Sequence, residues 1–274
     1  MFQFTSKESA IMPSKPSIMA IMNLTPDSFY AKSRMENIQA IVEKAGQFIE
    51  EGAGIIDIGG QSTRPGATMI TIEEEIERII LAIQAISKAF PAITISIDTF
   101  QSKVAEAAIL AGATLVNDIS CGSFDPLMID QVAKHGVGYI GMHITGSKET
   151  MHQIPQRENI IEDIIQFFKQ KKLDLAAKGV ANWIIDPGFG FGKTIDENFT
   201  IIKDLSLLQN IGLPILVGVS RKSSIYKTLA ISAEDALNGT TVLHTIAIQN
   251  GAKILRVHDV KEAKQVITLM EKIQ

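Results

Sequence analysis

The sequence contains one cysteine, Cys121, and one tryptophan among 274 residues. A single thiol excludes a disulfide framework and a multi-thiolate zinc site. Aromatic residues make up 6% of the chain, which leaves few rings on which bases could stack. Basic residues are not in excess either: 26 Lys and Arg face 30 Asp and Glu, for a formal charge of -4. Nucleic-acid binders carry a basic face, so no nucleic-acid partner is expected. No apolar run approaches the roughly 18 residues that span a bilayer, so no membrane partner is expected. The opening MFQFTSKESAIMPSK mixes polar and charged residues where a secretory signal needs an apolar core. These absences leave a cytoplasmic globular protein. With 46% hydrophobic and 20% charged residues, the chain has ample material for a buried core.

One pattern recurs along the chain: a short β-branched apolar run, a polar or Gly-rich loop, an amphipathic helix and often a glycine. Strands are predicted to begin near Ile18, Ile55, Ile93, Thr114, Val137, Trp183, Pro214 and Ala252. Helical periodicity places Ile38, Ile41, Val42, Ala45, Phe48 and Ile49 on one face, then Ile76, Ile79, Ile80, Ile83 and Ile86 on the next. Val260, Ala263, Val266, Ile267 and Met270 form the last such face. Thr71 with Glu74 and Ser232 with Asp235 resemble capping boxes, and Pro126 fits a first helical turn after Asp125. Gly52, Gly112, Gly136, Gly179, Gly212 and Gly251 fit helix stops, while the second helix stops at Pro91. Strands this apolar belong in a parallel sheet covered by helices. Eight βα units without a linker or a composition break suggest a single (β/α)8 barrel over 1–274, with 1–16 as a lead-in. The rival is an open doubly wound sheet, which gathers its ligand residues at one switch point.

The residues just after each strand favour the barrel. They are Asn23; Asp57, running into GGQSTRPGA; Asp98; Asn117 with Asp118; Met142 with His143; Asp186, in IIDPGFGFGK; Ser220, Arg221 and Lys222; and Arg256, His258 and Asp259. Polar groups at all eight strand ends converge on the C-terminal mouth of a closed barrel. An isolated Asp after a strand is commonly a helix cap, and Asp118, Asp125 and Asp259 are read that way. Asp57, Asp98 and Asp186 each close an apolar strand, where an unpartnered carboxylate is costly. Beside Lys222, Arg256 and Arg64 they read as a binding constellation.

GFGFGK is neither a dinucleotide fingerprint nor a Walker A loop, and reads as a flexible loop that admits a ligand or backbone closely. Lys222 in SRKSS reads as an anion site rather than a Schiff-base lysine. His143 and His258 have no HxH or HExxH companion, which argues against a histidine zinc site. His135 and His152 are read as surface residues and Cys121 as incidental. Arg64, Arg256 and His258, with Asn23 as a neutral oxygen ligand for Mg²⁺, could hold a diphosphate and its metal.

The chain resembles the dihydropteroate synthases of folate biosynthesis. The resemblance rests on IMNLTPDSF (21–29), IDIGGQSTRPGA (56–67), ISIDT (95–99), LVNDIS (115–120), IIDPGFGFGK (184–193), VGVSRKS (217–223) and ILRVHDV (254–260). These seven motifs stand in the family's order and cover nearly the whole chain. The resemblance implies a transferase that joins 4-aminobenzoate to 7,8-dihydropterin-6-ylmethyl diphosphate with Mg²⁺ as cofactor. It implies that Asp98, Asn117, Asp186 and Lys222 hold the pterin, with Met142 and Phe191 near its ring. Asn23, Arg64, Arg256 and His258 would hold the diphosphate, with Asn23 on Mg²⁺. Phe29, Thr63, Pro65, Ser220 and Lys222 would shape the aminobenzoate pocket, where sulfonamides compete in the family. Asp98, Lys222 and Arg256 would serve catalysis through a dissociative, carbocation-like path, and a homodimer is expected. The sequence departs from the family at Tyr30 to Ser33, where SDGG is common, at Gln61, where Glu is common, at Thr145, and in NGTTVLHT. The competing readings are a pterin-binding methyltransferase domain serving a corrinoid partner and a silent pterin-binding paralogue.

Overall fold

The computed structural model describes residues 15–24, 34–61, 68–151 and 153–273. Its strands close into one all-parallel barrel in sequential order: β1 (Ser17–Asn23), β2 (Ile55–Gly59), β3 (Thr94–Asp98), β4 (Leu115–Asp118), β5 (Gly138–Met142), β6 (Ile184–Asp186), β7 (Ile215–Val217) and β8 (Ala252–Val257). Met19 of β1 pairs with both Ile55 of β2 and Arg256 of β8, which closes the ring. Each predicted strand start lies within one residue of the observed one, and the open-sheet alternative is excluded. The helices are α1 (Arg34–Glu51), α2 (Ile72–Ala89), α3 (Ser102–Ala111), α4 (Met128–His135), α5 (Ile160–Ala177), α6 (Ile195–Lys203), α7 (Ser223–Leu229), α8 (Leu237–Gln249) and α9 (Val260–Ile273). A 3-10 segment (Leu205–Ile211) precedes β7, and both α7 and α8 follow it.

Alternation along the strands sorts their side chains into two cores. Outward residues such as Ile18, Ile56, Ile58, Ile97 and Val257 pack with Ala45, Phe48, Ile79, Ile83 and Ile267 of the helices. Inward residues Met19, Ile55, Leu115, Ile140, Ile184, Leu216 and Ile254 form a separate apolar cluster inside the barrel. With a period of two, the next inward residues on those strands are Ile21, Asp57, Asn117, Met142, Asp186, Gly218 and Arg256. An apolar floor therefore carries a layer of polar groups directly above it, facing the mouth.

The helix ends mostly follow the sequence. The predicted stops Gly52, Gly112, Gly136, Gly179, Gly212 and Gly251 have φ between 67 and 124°. Thr71 caps α2 by accepting from the Glu74 N–H, but the Glu74 carboxylate turns to Arg78, so the box is half made. Ser232 and Asp235 bond to each other as a capping pair would, yet in the turn before α8, whose cap is Ala236. Pro126 lies just upstream of α4 rather than in its first turn. The complete capping box joins Thr194 and Glu197 at the start of α6, a pair the sequence reading passed over.

The three aspartates read as caps do other work. Asp118, fully buried, accepts from the N–H groups of Ser120 and Gly122 and from the hydroxyls of Ser120 and Tyr139, organising the loop after β4. Asp125 accepts from Leu127 N–H in its own turn and from Ser102 N–H at the start of α3. Asp259 grips Arg221 through Nε and Nη2 at 2.8 and 2.9 Å. The segment NGTTVLHT lies in α8, where a Cβ on Gly239 would meet Ile225 of α7 at 2.5 Å, so glycine lets these helices approach.

His244 of α8 is 2% exposed, and its Nε2 is buried without a hydrogen-bond partner among the described residues. Burial lowers its pKa to about 4, against the pull of Asp259. The unfolded chain therefore binds a proton that the fold refuses between pH 6.5 and 4, and this residue's contribution to stability falls as pH drops through that window. Buried Asp98, with its pKa raised to about 7, acts in the opposite direction, so the test is a difference between variants. Thermal melts at pH 7 and pH 5 should show His244→Leu losing about 2 kcal/mol less stability than the wild type over that interval. Parallel losses in the two proteins would refute a buried neutral imidazole.

Candidate active site

The barrel mouth opens into a cavity of about 790 Å³. Among the residues predicted for the site, Asn23, Asp98, Phe191, Ser220, Lys222, Arg256 and His258 line it. Asn117, Met142 and Asp186 lie deeper, at 4, 3 and 8% exposure. Phe29, Tyr30 to Ser33, Thr63, Arg64, Pro65 and His152 lie outside the described residues. The lining also includes Tyr226 and Glu234, which the sequence reading did not assign to a pocket, and Arg221, one of its strand-end groups. Arg221 is not a free cation there: Asp259 holds it, and its Nη1 donates to the carbonyls of Ala233 and Glu234.

At the centre, one guanidinium joins groups from four strands. Arg256 Nε donates to Asp57 Oδ2 at 2.7 Å, and its Nη2 donates to Asp98 Oδ2 at 2.6 Å. Asn117 Nδ2 donates to the same Asp57 oxygen at 3.0 Å. Burial pushes the Asp98 carboxyl up to about 7; Arg256 pulls it down, and the neighbouring carboxylates, Asp57 first, push it up again. Burial opposes the charge on Arg256, but Asp57 and Asp98 more than offset it and hold its pKa above the ordinary value. Of the predicted constellation, Asp57 and Asp98 meet on Arg256 and Asp186 lies near Lys222, and the group divides. Asp98 faces the cavity, whereas Asp57 is fully enclosed and serves its neighbours.

After β7 stands Lys222, which precedes α7 in an extended conformation. Its ammonium donates to the Phe189 carbonyl and lies 4.8 Å from the centre of the Phe191 ring. Burial lowers its pKa to about 8, opposed by Asp186 and Asp98. Asp186 accepts the Gly188 N–H at 2.7 Å, and burial raises its pKa despite Lys222. Met142 belongs to a small apolar cluster against which Phe191, in the cavity lining, packs.

The GFGFGK loop is pinned rather than loose. Lys193, 7% exposed, donates to the carbonyls of His143, Gly188 and Phe191 at 3.3, 2.9 and 3.1 Å, and Asn198 accepts the Gly190 N–H. The predicted close approach of backbone is present: a Cβ on Gly188, at φ 74°, would stand 2.2 Å from the His143 carbonyl oxygen. Burial lowers the Lys193 pKa to about 7. His143 is not a site residue. It is 1% exposed, 3.4 Å from Asp163 and edge-on to Phe167, and burial lowers its pKa to about 4. The strand-end rule overreached here because the residue after β5 turns away from the barrel interior. His135 is half-buried beside Glu106, and Cys121 is a buried thiol whose pKa burial raises.

Two departures from the family pattern have local explanations. Gln61 is 8% exposed; its Oε1 accepts the Ile70 N–H and its Nε2 donates to the Thr68 carbonyl. A glutamate could make only the first of these bonds. Thr145 accepts from Arg157, which also donates to the Gly192 carbonyl and pairs with Glu197, tying the β5 and β6 loops together.

Among the described residues, no three His, Cys, Asp or Glu side chains cluster as a metal site. Asn23, exposed at the mouth, offers a single amide oxygen. Such a donor set suits a hard cation that takes most of its ligands from substrate phosphates and water.

A family described as pterin binding enzyme matches residues 19–258. The dihydropteroate synthase of Escherichia coli is 36% identical over 94% of this chain and 92% of its own length. That of Synechocystis is 42% identical over 91% and 87%. The chain belongs to the dihydropteroate synthase family. Among solved structures, a Clostridium difficile dihydropteroate synthase in the presence of pteroic acid superposes with a TM-score of 0.89 at 34% identity, covering 97% of this chain and 99% of that one. The Xanthomonas albilineans synthase in complex with 7,8-dihydropteroate gives 0.84 at 32% identity, covering 95% and 94%.

Lys193→Met would leave three buried carbonyls short of a donor. It should cost roughly 2–4 kcal/mol, lowering the melting temperature in calorimetry by about 5–10 °C. An unchanged melting temperature would show that the loop does not depend on this ammonium.

Proposed function

We propose that the protein condenses 7,8-dihydropterin-6-ylmethyl diphosphate with 4-aminobenzoate, giving 7,8-dihydropteroate and diphosphate. The observation that carries this reading is the polar layer of Asp98, Asn117, Asp186, Lys222 and Arg256 at the mouth of a barrel whose family is that of the synthases. The pterin edge offers an amino group and a ring N–H side by side, which a carboxylate such as Asp186 can accept together. Asn117 supplies an acceptor and a donor, and Lys222 donates to the carbonyl side of the ring. Met142 and Phe191 give the ring an apolar flank. A buried site built for these donors rejects rings that leave its polar groups unpaired.

In the proposed reaction, the methylene–oxygen bond breaks and the electron pair leaves with the diphosphate. Arg256, with Arg64 and His258, stabilises the departing anion, and the Asp98 carboxylate stabilises positive charge on the pterin methylene. The aryl amine then forms the C–N bond and gives up a proton to diphosphate or water. It needs position more than activation, which is the task of Ser220, Lys222, Phe29, Thr63 and Pro65. The cofactor in this reading is Mg²⁺, held by the Asn23 oxygen and diphosphate oxygens, where it would neutralise leaving-group charge. A sulfonamide would compete at the aminobenzoate pocket. No described helix is long and apolar enough to cross a membrane, and the proposal places the enzyme in the cytoplasm. It also includes a homodimer, supported by exposed Val242 of α8 and Leu269 and Ile273 of α9.

Purified protein with Mg²⁺ and the pterin diphosphate should release diphosphate in step with dihydropteroate only when 4-aminobenzoate is present, and a sulfonamide should block both. Absence of turnover would sink the synthase reading, and a cobalamin-dependent methyl-transfer assay would then decide for the methyltransferase. Arg256→Ala should lower kcat/KM for the pterin diphosphate roughly 10- to 100-fold or more; unchanged kinetics would remove Arg256 from the anion site. With Asp98 titrating at about 7 in the free enzyme, kcat/KM should fall as pH drops below 7, because the protonated carboxyl cannot offset positive charge. Asp98→Asn should be slow and lack that acid limb. A limb surviving in the variant would assign it to another group.

A further inference from the structure

Asp57 of β2 has no exposed side-chain surface and does not line the cavity, yet two groups of the proposed site depend on it. Its Oδ2 takes both the Arg256 Nε and the Asn117 Nδ2, while its Oδ1 is buried without a hydrogen-bond partner among the described residues. From these contacts we infer that Asp57 is the positioning residue of the site: it fixes the Asn117 amide and the Arg256 guanidinium together, and thereby couples recognition of the pterin ring to recognition of the diphosphate. This inference rests on the synthase reading for the identity of the two ligand halves.

The chemistry is directional. A carboxylate only accepts, so Asp57 admits one orientation of the Asn117 amide, with nitrogen toward β2 and Oδ1 left as an acceptor for a ligand N–H. The same oxygen draws Arg256 Nε, and Asp98 takes Nη2, leaving Nη1 without a described partner. Two anchors on one planar fork fix its plane as well as its position. Neither anchor alone would do so. An asparagine at 57 could offer either an acceptor or a donor to Asn117. The Asn117 amide could then flip, and Arg256 would lose one of its two charges. An orphaned buried oxygen is costly, and a neutral side chain would avoid that cost. The charge at this position is therefore explained by what it does for Arg256 and Asn117 rather than by packing.

The test separates the two ligand halves. Dissociation constants of 6-hydroxymethylpterin and of inorganic diphosphate with Mg²⁺ are measured by calorimetry on the full chain. In Asp57→Asn, each should rise by roughly 10-fold, the size expected when a charge-assisted bond to the contacting group is lost. In the Asn117→Ala background, Asp57→Asn should add much less to the pterin effect than it causes alone while still weakening diphosphate, since Asn117 is the direct link from Asp57 to the ring. Unchanged affinities, or a pterin loss that adds in full in the double variant, would overturn the inference, because a merely structural role predicts no such dependence. Should Asp57→Asn fail to fold, Asn117→Ala still decides. The shared oxygen is then free to shift toward Arg256, so diphosphate affinity should change by about 3-fold although Asn117 itself would hold the ring; no change would overturn the coupling. Turnover of the wild type, measured on the same preparation, keeps failure of the synthase reading distinct, because both probes bind without any reaction.

Discussion

An arginine held between two carboxylates on an apolar floor is the constraint from which the rest of the site follows. Inside the barrel, Met19, Ile55, Ile184, Ile254 and their neighbours exclude water from below. A lone charge above such a floor would be prohibitive. Asp57 and Asp98 on one side and Arg256 on the other satisfy one another at 2.7 and 2.6 Å, which makes the arrangement possible. The charges come from strands far apart in sequence, since 199 residues separate Asp57 from Arg256. Only closure of the barrel, with Met19 paired to both Ile55 and Arg256, brings them together. Fold and site are thus one requirement: the strands must alternate correctly, or a buried carboxylate faces the helices instead of its arginine.

A second layer holds the loops that frame this centre. Lys193 gathers three carbonyls around the Phe191 loop, Arg157 joins the β5 and β6 loops, and Asp259 pairs with Arg221 at the rim. These cations are spent on protein groups. Among the described cations lining the cavity, Lys222 and Arg256 are the ones the proposed reaction uses, and burial brings Lys222 to about 8, so its charge is sensitive to its surroundings. The division of labour explains how a chain of net charge -4 can present an anion site. Local pairing and burial set the field there more than the overall charge does.

Much of this was legible in the sequence because the barrel's rules are local. Short β-branched apolar runs followed by a period of 3.6, punctuated by glycine, located the starts of all eight strands within one residue. Strand ends then pointed to Asn23, Asp98, Lys222 and Arg256, all of which line the cavity. The misreadings came where a residue's direction, not its type, decided the outcome. His143 follows a strand like the others but lies against Phe167. Asp118 and Asp259 look like caps, but the chain brings Tyr139 and Arg221 to them from 21 and 38 residues away. Lys193 was visible as a charge in a glycine-rich loop, and its target carbonyls were not, because they belong to three different backbone positions gathered only by the fold.

The ion pair also bears on how the two substrate halves would communicate in the proposed reaction. Arg256 Nη2 is committed to Asp98, and Asp98 is thereby held back from a cation at the mouth. An arriving diphosphate offers Arg256 a second anion. As the guanidinium turns part of its charge toward phosphate, Asp98 loses the partner that offsets its burial and gains the strongest reason to seek positive charge elsewhere. The developing charge on the pterin methylene is the positive charge within that layer. Asp57, enclosed and anchored, keeps Nε in place while Nη2 is exchanged, so the fork pivots rather than wanders. In the proposed reaction the leaving group and the cationic carbon would then be stabilised by the two ends of one rearranged ion pair, and the electrostatic cost of opening it would be met only with both halves of the substrate present.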